Sequence, residues 1–540
     1  MKKNALAAWT LTCVAWLVLV WTWKALHLAM TVDDTFYYFK TALNVSRGLG
    51  STFDGINPTN GYHPLWLGVL AGLFALFGDD MVLLVKVAFT FQLVAIWSAG
   101  VVLSRLDIRG RRWVLWPLTL AMLNPFSAKI VLCGQETALQ LLLSAVTLSI
   151  WWRLRGSVAD TARLGRWALL GALGGLATLA RLDTIFYAGL LVGMPVLCPS
   201  DAELEAGLVR RLRASVAGLA GLFAVLTPYL IFNRVVYRHL MPVSGAVKLH
   251  LETGESAHWA ARLATVAVAA GGLAWLWRSA SRRRATELPV LVPPVAACLI
   301  LAIYNFAVRG EMGVNLVRIW YLEPYLLALA VGVGVLDGGP VIRAGGRTLA
   351  ALVTRGAIVV WLVICALSWR YRLDPRSYAL YAAAERCSRW FDATEPKAVA
   401  AAWDAGFAAA FTRKPVMNLD GLINSWEYKE QYLDGGRADA FILERHPVDY
   451  VIQYAWPRTL RLLAAGQGRH AGGSSARWSV DLGSFTVAHV ECAMVSVAYE
   501  PSVTVGPVHY FVLRREPLPG RPTLAEFALR NQARSSCAPD

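Results

Sequence analysis

The chain has 540 residues, of which 56% are hydrophobic and only 16% charged, with 22 Trp, 18 Tyr and a formal charge of +16. Such a chain is too apolar to be a water-covered globule, and it is expected to be a polytopic membrane protein with its aromatic rings at the interfaces. The excess positive charge does not indicate nucleic acid, because the arginines fall in short clusters between apolar runs instead of on one basic face.

Lys2 and Lys3 precede an apolar stretch over 5–23. Its length, its tryptophans and the lack of a small-x-small cleavage site predict a retained anchor with a cytoplasmic N-terminus. Just beyond it comes the run Asp33-Asp34-Thr35-Phe36-Tyr37-Tyr38-Phe39-Lys40. Adjacent carboxylates near hydrocarbon repel one another and lose hydration, so they are tolerated where a cation, a metal or a proton transfer uses them. A loop over 48–66 follows, dense in Gly, Pro, Asn and Asp, with aromatic residues threaded through it and His63 beside Pro64. Its turn formers predict a segment that folds back over a membrane-surface cavity.

Ten later apolar runs lie at 81–103, 113–133, 137–152, 167–180, 184–197, 215–232, 259–277, 288–308, 319–336 and 349–369, making eleven spans with the first. Loops of two kinds alternate between them. One kind is basic, such as Arg105 to Arg112, Arg153 to Arg166, Arg210 to Arg213, Arg278 to Arg284, and Arg343 with Arg347, and is assigned to the cytoplasm. The other holds Gly134-Gln135-Glu136, Arg181-Leu182-Asp183, Pro242-Val243-Ser244-Gly245-Ala246-Val247-Lys248, and Arg309 through Glu311 to Arg318. These share the outer side with Asp33 and Asp34 only if the short run Pro64–Phe77 lies along the interface. At 14 residues it is shorter than the roughly twenty that a simple crossing needs, so that arrangement is adopted.

From about Tyr371 the charge disperses and strand-like runs appear at 448–453 and 508–512, with a helical pattern over 397–411. The expected division is a membrane domain over 1–370 and an outer α/β domain over 371–540. Of eight cysteines, five lie in or beside apolar runs; Cys492 with Cys537 is the preferred pairing if the tail is extracytoplasmic.

Asp33-Asp34 after the first span, the loop behind it, Glu136, Arg181-x-Asp183, Lys248, Arg318 and the C-terminal domain together resemble the GT-C fold glycosyltransferases. These are multi-spanning enzymes that use a polyprenyl-phosphate sugar as donor. The element from Pro242 to Lys248 is similar to a Pro-Ser-x-x-x-Lys-like feature of the mycobacterial cell-wall arabinofuranosyltransferase branch. The resemblance implies a cytoplasmic-membrane enzyme that transfers a sugar on the outer side to an envelope glycan, glycolipid or protein. Arabinofuranose is the first candidate and mannose or another hexose the second. Glycosyl transfer develops oxocarbenium character and needs a carboxylate to take the acceptor's proton, a role for Asp33 or Asp34. The departing phosphate needs a cation, a role for Lys248, Arg318 or Arg309. A lone base and a phosphate clamp imply inversion.

Glu136, Arg181, Asp183, Ser244, His63 and Tyr38 are candidates for substrate binding. Each has a plainer alternative: Glu136 as a helix cap, Arg181 and Asp183 as a structural pair, His63 as a turn residue, Tyr38 as a belt aromatic, and Lys248 and Arg318 as lipid anchors. A divalent cation at Asp33 and Asp34 is a further option, although no full set of hard oxygen ligands is legible. The turn-rich segments 404–406 and 418–424 read as strand-to-helix turns or as acceptor-glycan contacts. The rival classes are a transporter or lipid-carrier flippase, and a glycan-binding scaffold without catalysis.

Overall fold

A computed structural model describes residues 2–106, 108, 114–155, 157, 163–252, 288–303, 326–332, 363, 365–370, 372–455, 482, 484–497 and 504–530. Helix α1 (Lys2–Thr22) carries no polar face, as suits a helix surrounded by lipid and protein. Indoles fix it: Trp9 Nε1 donates to the Trp97 carbonyl (3.2 Å) and Trp16 Nε1 to the Met122 carbonyl (2.7 Å). An indole buries a large apolar body and still satisfies its single donor this way.

After the short α2 (Leu26–Met30) comes α3 (Asp33–Ser46), whose middle residues are almost all buried. The next helix, α4 (Pro64–Phe77), begins at His63, and just past its other end Asp79 pairs with Arg47 (2.6 Å) and lies 3.9 Å from Arg413. Arg413 belongs to the C-terminal domain, as does Leu422 beside Gly61, so residues just beyond both ends of α4 approach that domain.

Helices α5 (Met81–Ser104) and α8 (Thr137–Leu154) are, with α1, long and apolar enough to span a membrane. Between them the expected span over 113–133 is not one straight helix. It divides into α6 (Leu115–Leu123) and α7 (Pro125–Leu132), bent by 99°. Asn124 causes the break by capping α7, accepting the Phe126 N–H at 2.9 Å, while Pro125 occupies the first helical position, where its missing N–H costs nothing.

Helices α9 (Leu164–Ala180) and α10 (Ile185–Leu197), the surface turn α11 (Asp201–Glu205) and the long α12 (Leu208–Val236) follow. α9 and α12 meet backbone to backbone: a Cβ on Gly171 would lie 1.7 Å from the Gly218 carbonyl oxygen, and one on Gly221 1.9 Å from that of Ala168. Helix α13 (Val243–Glu252) then buries Val243 and Val247 in the core of the C-terminal domain. The expected span at 259–277 lies outside the described residues, and those at 288–308, 319–336 and 349–369 are described in part, the first as Val292–Ile303.

The C-terminal domain is a five-stranded mixed sheet in the order β2-β1-β3-β5-β4. Strands β1 (Ala400–Ala402), β2 (Val416–Asn418) and β3 (Tyr450–Ala455) pair in parallel; β4 (Thr486–Val497) and β5 (Thr504–Arg514) add antiparallel pairs. Helix α14 (Ala379–Asp392) packs against β4 and β5.

The helix expected over 397–411 is only half right. Ala400-Ala401-Ala402 is a central strand buried on both faces, where the sheet's hydrogen bonds outweigh alanine's helix preference, and only α15 (Ala405–Ala410) is helical. Cys492 is disulfide-bonded; its expected partner Cys537 lies outside the described residues, and Cys387 is free and buried.

Candidate functional site

A cleft of about 650 Å3, open mouth included, lies where α3, α4, α8, α9 and α13 meet the C-terminal domain. Asp34, Tyr38, His63, Glu136, Arg181, Ser244 and Lys248, seven residues named from the sequence, line it. Gly134-Gln135-Glu136 reaches it because Gly134 holds φ +84° and its carbonyl accepts Trp66 Nε1–H at 2.9 Å.

Asp33 is turned away from the cleft. Its two carboxylate oxygens accept the Gly406 and Phe407 N–H groups, each at 2.9 Å, and so cap α15 from the other half of the molecule. A Cβ on Gly406 would sit 2.0 Å from the Asp33 carbonyl oxygen, so glycine is required for that approach. Burial and the nearby Asp404 push the Asp33 carboxyl well above the usual carboxylate range, against the two N–H donors that favour its charge.

Adjacent in sequence, Asp33 and Asp34 diverge in space, and Asp33 has each oxygen engaged by backbone. Among the described residues no group of three His, Cys, Asp or Glu side chains is placed to hold a metal ion.

Glu136, Arg181 and Asp183 form a buried ionic chain. Arg181 Nη1 donates to Glu136 Oε1 at 2.7 Å, and its Nε reaches both Asp183 oxygens at 3.1 and 3.2 Å. Glu136 and Arg181 are 2% and 6% exposed, a burial that charged groups tolerate only when paired. Asp183 therefore holds Arg181 and does not itself line the cleft. His63 completes the wall. Its Nδ1 accepts the Leu182 N–H (3.4 Å), and its Nε2 lies 3.7 Å from Glu136 Oε1. Burial, aided by Arg181, pushes this imidazole down to about 3, so it is neutral with its hydrogen on Nε2.

Arg309 and Arg318 lie outside the described residues. Among the rest, Lys248 is the cation at the cleft beside Arg181, one turn along α13 from Ser244.

Residues not assigned a site role from the sequence complete the assembly. Tyr37 donates to Asp420 Oδ2 (2.6 Å) and accepts from Asn418 (3.3 Å). Asp420 is half-buried, and its carboxyl is pushed up to about 6 by desolvation and by Asp404. Asp404, exposed at the edge of the same cluster, accepts a hydrogen bond from the Tyr454 hydroxyl at 3.0 Å. Asn60 accepts from Trp426 Nε1 (3.1 Å) and from the Val243 N–H that opens α13 (3.0 Å). A Cβ on Gly61 would lie 2.1 Å from the Leu422 carbonyl oxygen, and Leu422 and Ile423 close one wall of the cleft. The segments 404–406 and 418–424 are thus strand-to-helix and strand-exit turns, and these same turns dock the domain on the cleft. Their density of Asp, Asn and Gly was the available signal.

No protein-family model matches the chain, and no curated protein matches it by sequence. Solved structures do. The oligosaccharyltransferase of Archaeoglobus fulgidus in its apo form superposes with a TM-score of 0.51 at 13% identity, over 98% of this chain and 78% of that one. ArnT of Cupriavidus metallidurans, bound to undecaprenyl phosphate, gives 0.53 at 15% identity, over 93% of this chain and 98% of that one. The archaeal enzyme tethered to an acceptor peptide gives 0.51 at 14%. The chain has the GT-C fold of a polytopic helical membrane protein, with a C-terminal mixed-sheet domain.

Proposed function

We propose that the protein is an inverting glycosyltransferase that moves a sugar from a polyprenyl-phosphate carrier to a cell-envelope acceptor at the outer face of the cytoplasmic membrane. The observation that carries this reading is one cleft, between the helices and the C-terminal domain, that holds a carboxylate and a lysine together with a buried polar wall. The fold agrees, since ArnT, which shares it, binds undecaprenyl phosphate.

Asp34 is the general base. As the acceptor hydroxyl attacks the anomeric carbon, its proton passes to the Asp34 carboxylate, and the bond between that carbon and the phosphate oxygen breaks. The leaving polyprenyl phosphate takes the electron pair and is neutralised by Lys248, with Arg309 and Arg318 as further candidate cations. Attack opposite the leaving group inverts the anomeric centre. Glu136, Arg181, Ser244, His63 and Tyr38 form the sugar wall, Asp183 orients Arg181, and Asp33 acts by holding the C-terminal domain in place. Arabinofuranose is the first donor sugar to test and mannose the second.

The test is transfer in nanodiscs from a panel of synthetic polyprenyl-phosphate sugars with crude envelope acceptors. Release of polyprenyl phosphate that depends on one sugar and is abolished by Asp34→Asn is expected. Folded wild-type protein that turns over no donor would refute the reading.

A further inference from the structure

Glu136 has two carboxylate oxygens with unequal fates. Oε1 is held by Arg181 at 2.7 Å and faces His63 Nε2 at 3.7 Å. Oε2 is buried and has no hydrogen-bond partner among the described residues, on a side chain that is 3% exposed and lines the cleft. Buried acceptors are almost always satisfied, and a charged one left bare is costly, so the missing partner calls for an explanation.

The surroundings restrict what that partner is. A phosphate is repelled by a carboxylate, so it belongs on the Lys248 side. His63 is neutral and directs its hydrogen toward the other oxygen. An apolar ligand group would leave Oε2 as bare as before. The missing partner is therefore a group that donates. Arg181 is shared between Glu136 and both oxygens of Asp183, and Lys248 is taken up on the phosphate side, so the donor left to complete the vacant oxygen is a hydroxyl of the sugar itself.

Building on the glycosyltransferase reading, we propose that Glu136 Oε2 accepts a hydrogen bond from one hydroxyl of the donor sugar and is the specificity-determining contact of the site. Arg181 and Asp183 hold that oxygen in place. The sugar then lies with one hydroxyl on Glu136, its phosphate toward Lys248 and its anomeric carbon toward Asp34. A site built to bond a buried hydroxyl rejects the analogue that lacks it far more strongly than a site that only fills space.

The experiment takes the donor that wild-type enzyme uses and compares it with a set of its monodeoxy analogues, each as a synthetic polyprenyl phosphate. One deoxy position is expected to lower kcat/KM by at least about 100-fold, the others much less. In Glu136→Gln the amide oxygen takes over the Arg181 bond and an NH2 faces the ligand, so the preference at that position collapses to within about threefold. A flat deoxy profile in wild type, which needs no variant to fold, overturns the inference while leaving the transferase reading intact. Undiminished discrimination in Glu136→Gln also overturns it. Faster turnover of the amino-substituted donor at that position overturns the hydroxyl in favour of an ammonium. Absence of turnover with every donor removes the transferase reading itself, and the inference with it.

Discussion

Two seams hold this molecule together, and they are built on opposite principles. Where α9 crosses α12, Gly171, Gly218 and Gly221 remove side chains so that the backbones touch. Where α3 meets the C-terminal domain, Asp33 caps α15 and Tyr37 bonds Asp420. In lipid there is no hydrophobic gain from pairing two apolar helices, so close approach must supply the attraction. At the polar seam, burial of charge needs directional bonds, and those titrate. The first seam is sensitive to volume and the second to charge.

The largest effect is expected from volume. Gly171→Leu would place atoms inside the Gly218 backbone, with no flexible neighbour to yield, and should abolish a monodisperse, thermally cooperative protein in detergent. A Gly171→Leu protein with unchanged melting would break the proposed contrast.

Next is Asp34→Asn, expected to lower kcat by about 10²- to 10⁴-fold in protein that still folds, because the role proposed for Asp34 is in the chemistry. Asp33→Asn is its mirror image. An amide offers one acceptor where the carboxylate serves two N–H groups, so thermal unfolding should register a loss of about 1–3 kcal/mol, with a smaller loss of kcat than in Asp34→Asn. Equal kcat losses would show that the two acids share one task.

The polar seam also predicts a pH dependence. The Asp420 carboxyl is pushed up to about 6 in the folded protein against an ordinary 3.8, so between those values the folded form holds more protons than the unfolded one. Its contribution therefore falls as pH rises from about 4 to 6. The stability gap between wild type and Asp420→Asn should shift against wild type over that window, and a pH-independent gap would contradict it. The smallest effect belongs to Asp79→Ala. Its pair with Arg47 is half exposed, and its loss should change stability by less than about 1 kcal/mol.

The sequence made the membrane class, the GT-C resemblance and most of the cleft legible, because polar residues in apolar surroundings stand out. Glu136, Arg181 and Lys248 were visible for that reason. The division of labour between Asp33 and Asp34 was not, since neighbours in sequence point in different directions on a helix and the partner of Asp33 lies 373 residues away. The alanine strand at 400–402 was hidden because its local preference is helical and only its sheet neighbours make it a strand. The break at Asn124-Pro125 was within reach, since both residues announce a helix start; the continuous hydropathy of 113–133 masked it.

The cleft is also divided in time. Tyr37 and its partner Asp420 are 383 residues apart, so at about 5–20 residues per second the ribosome delivers one about 20–80 s after the other. During that interval the membrane helices insert while the wall formed by Leu422 and Ile423 does not yet exist. A chain interrupted before its tail would carry Asp34 and Lys248 into the bilayer but no closed cleft. On the proposed reading, such fragments are silent, and lipid-linked sugar is spent only by molecules whose synthesis has reached the sheet.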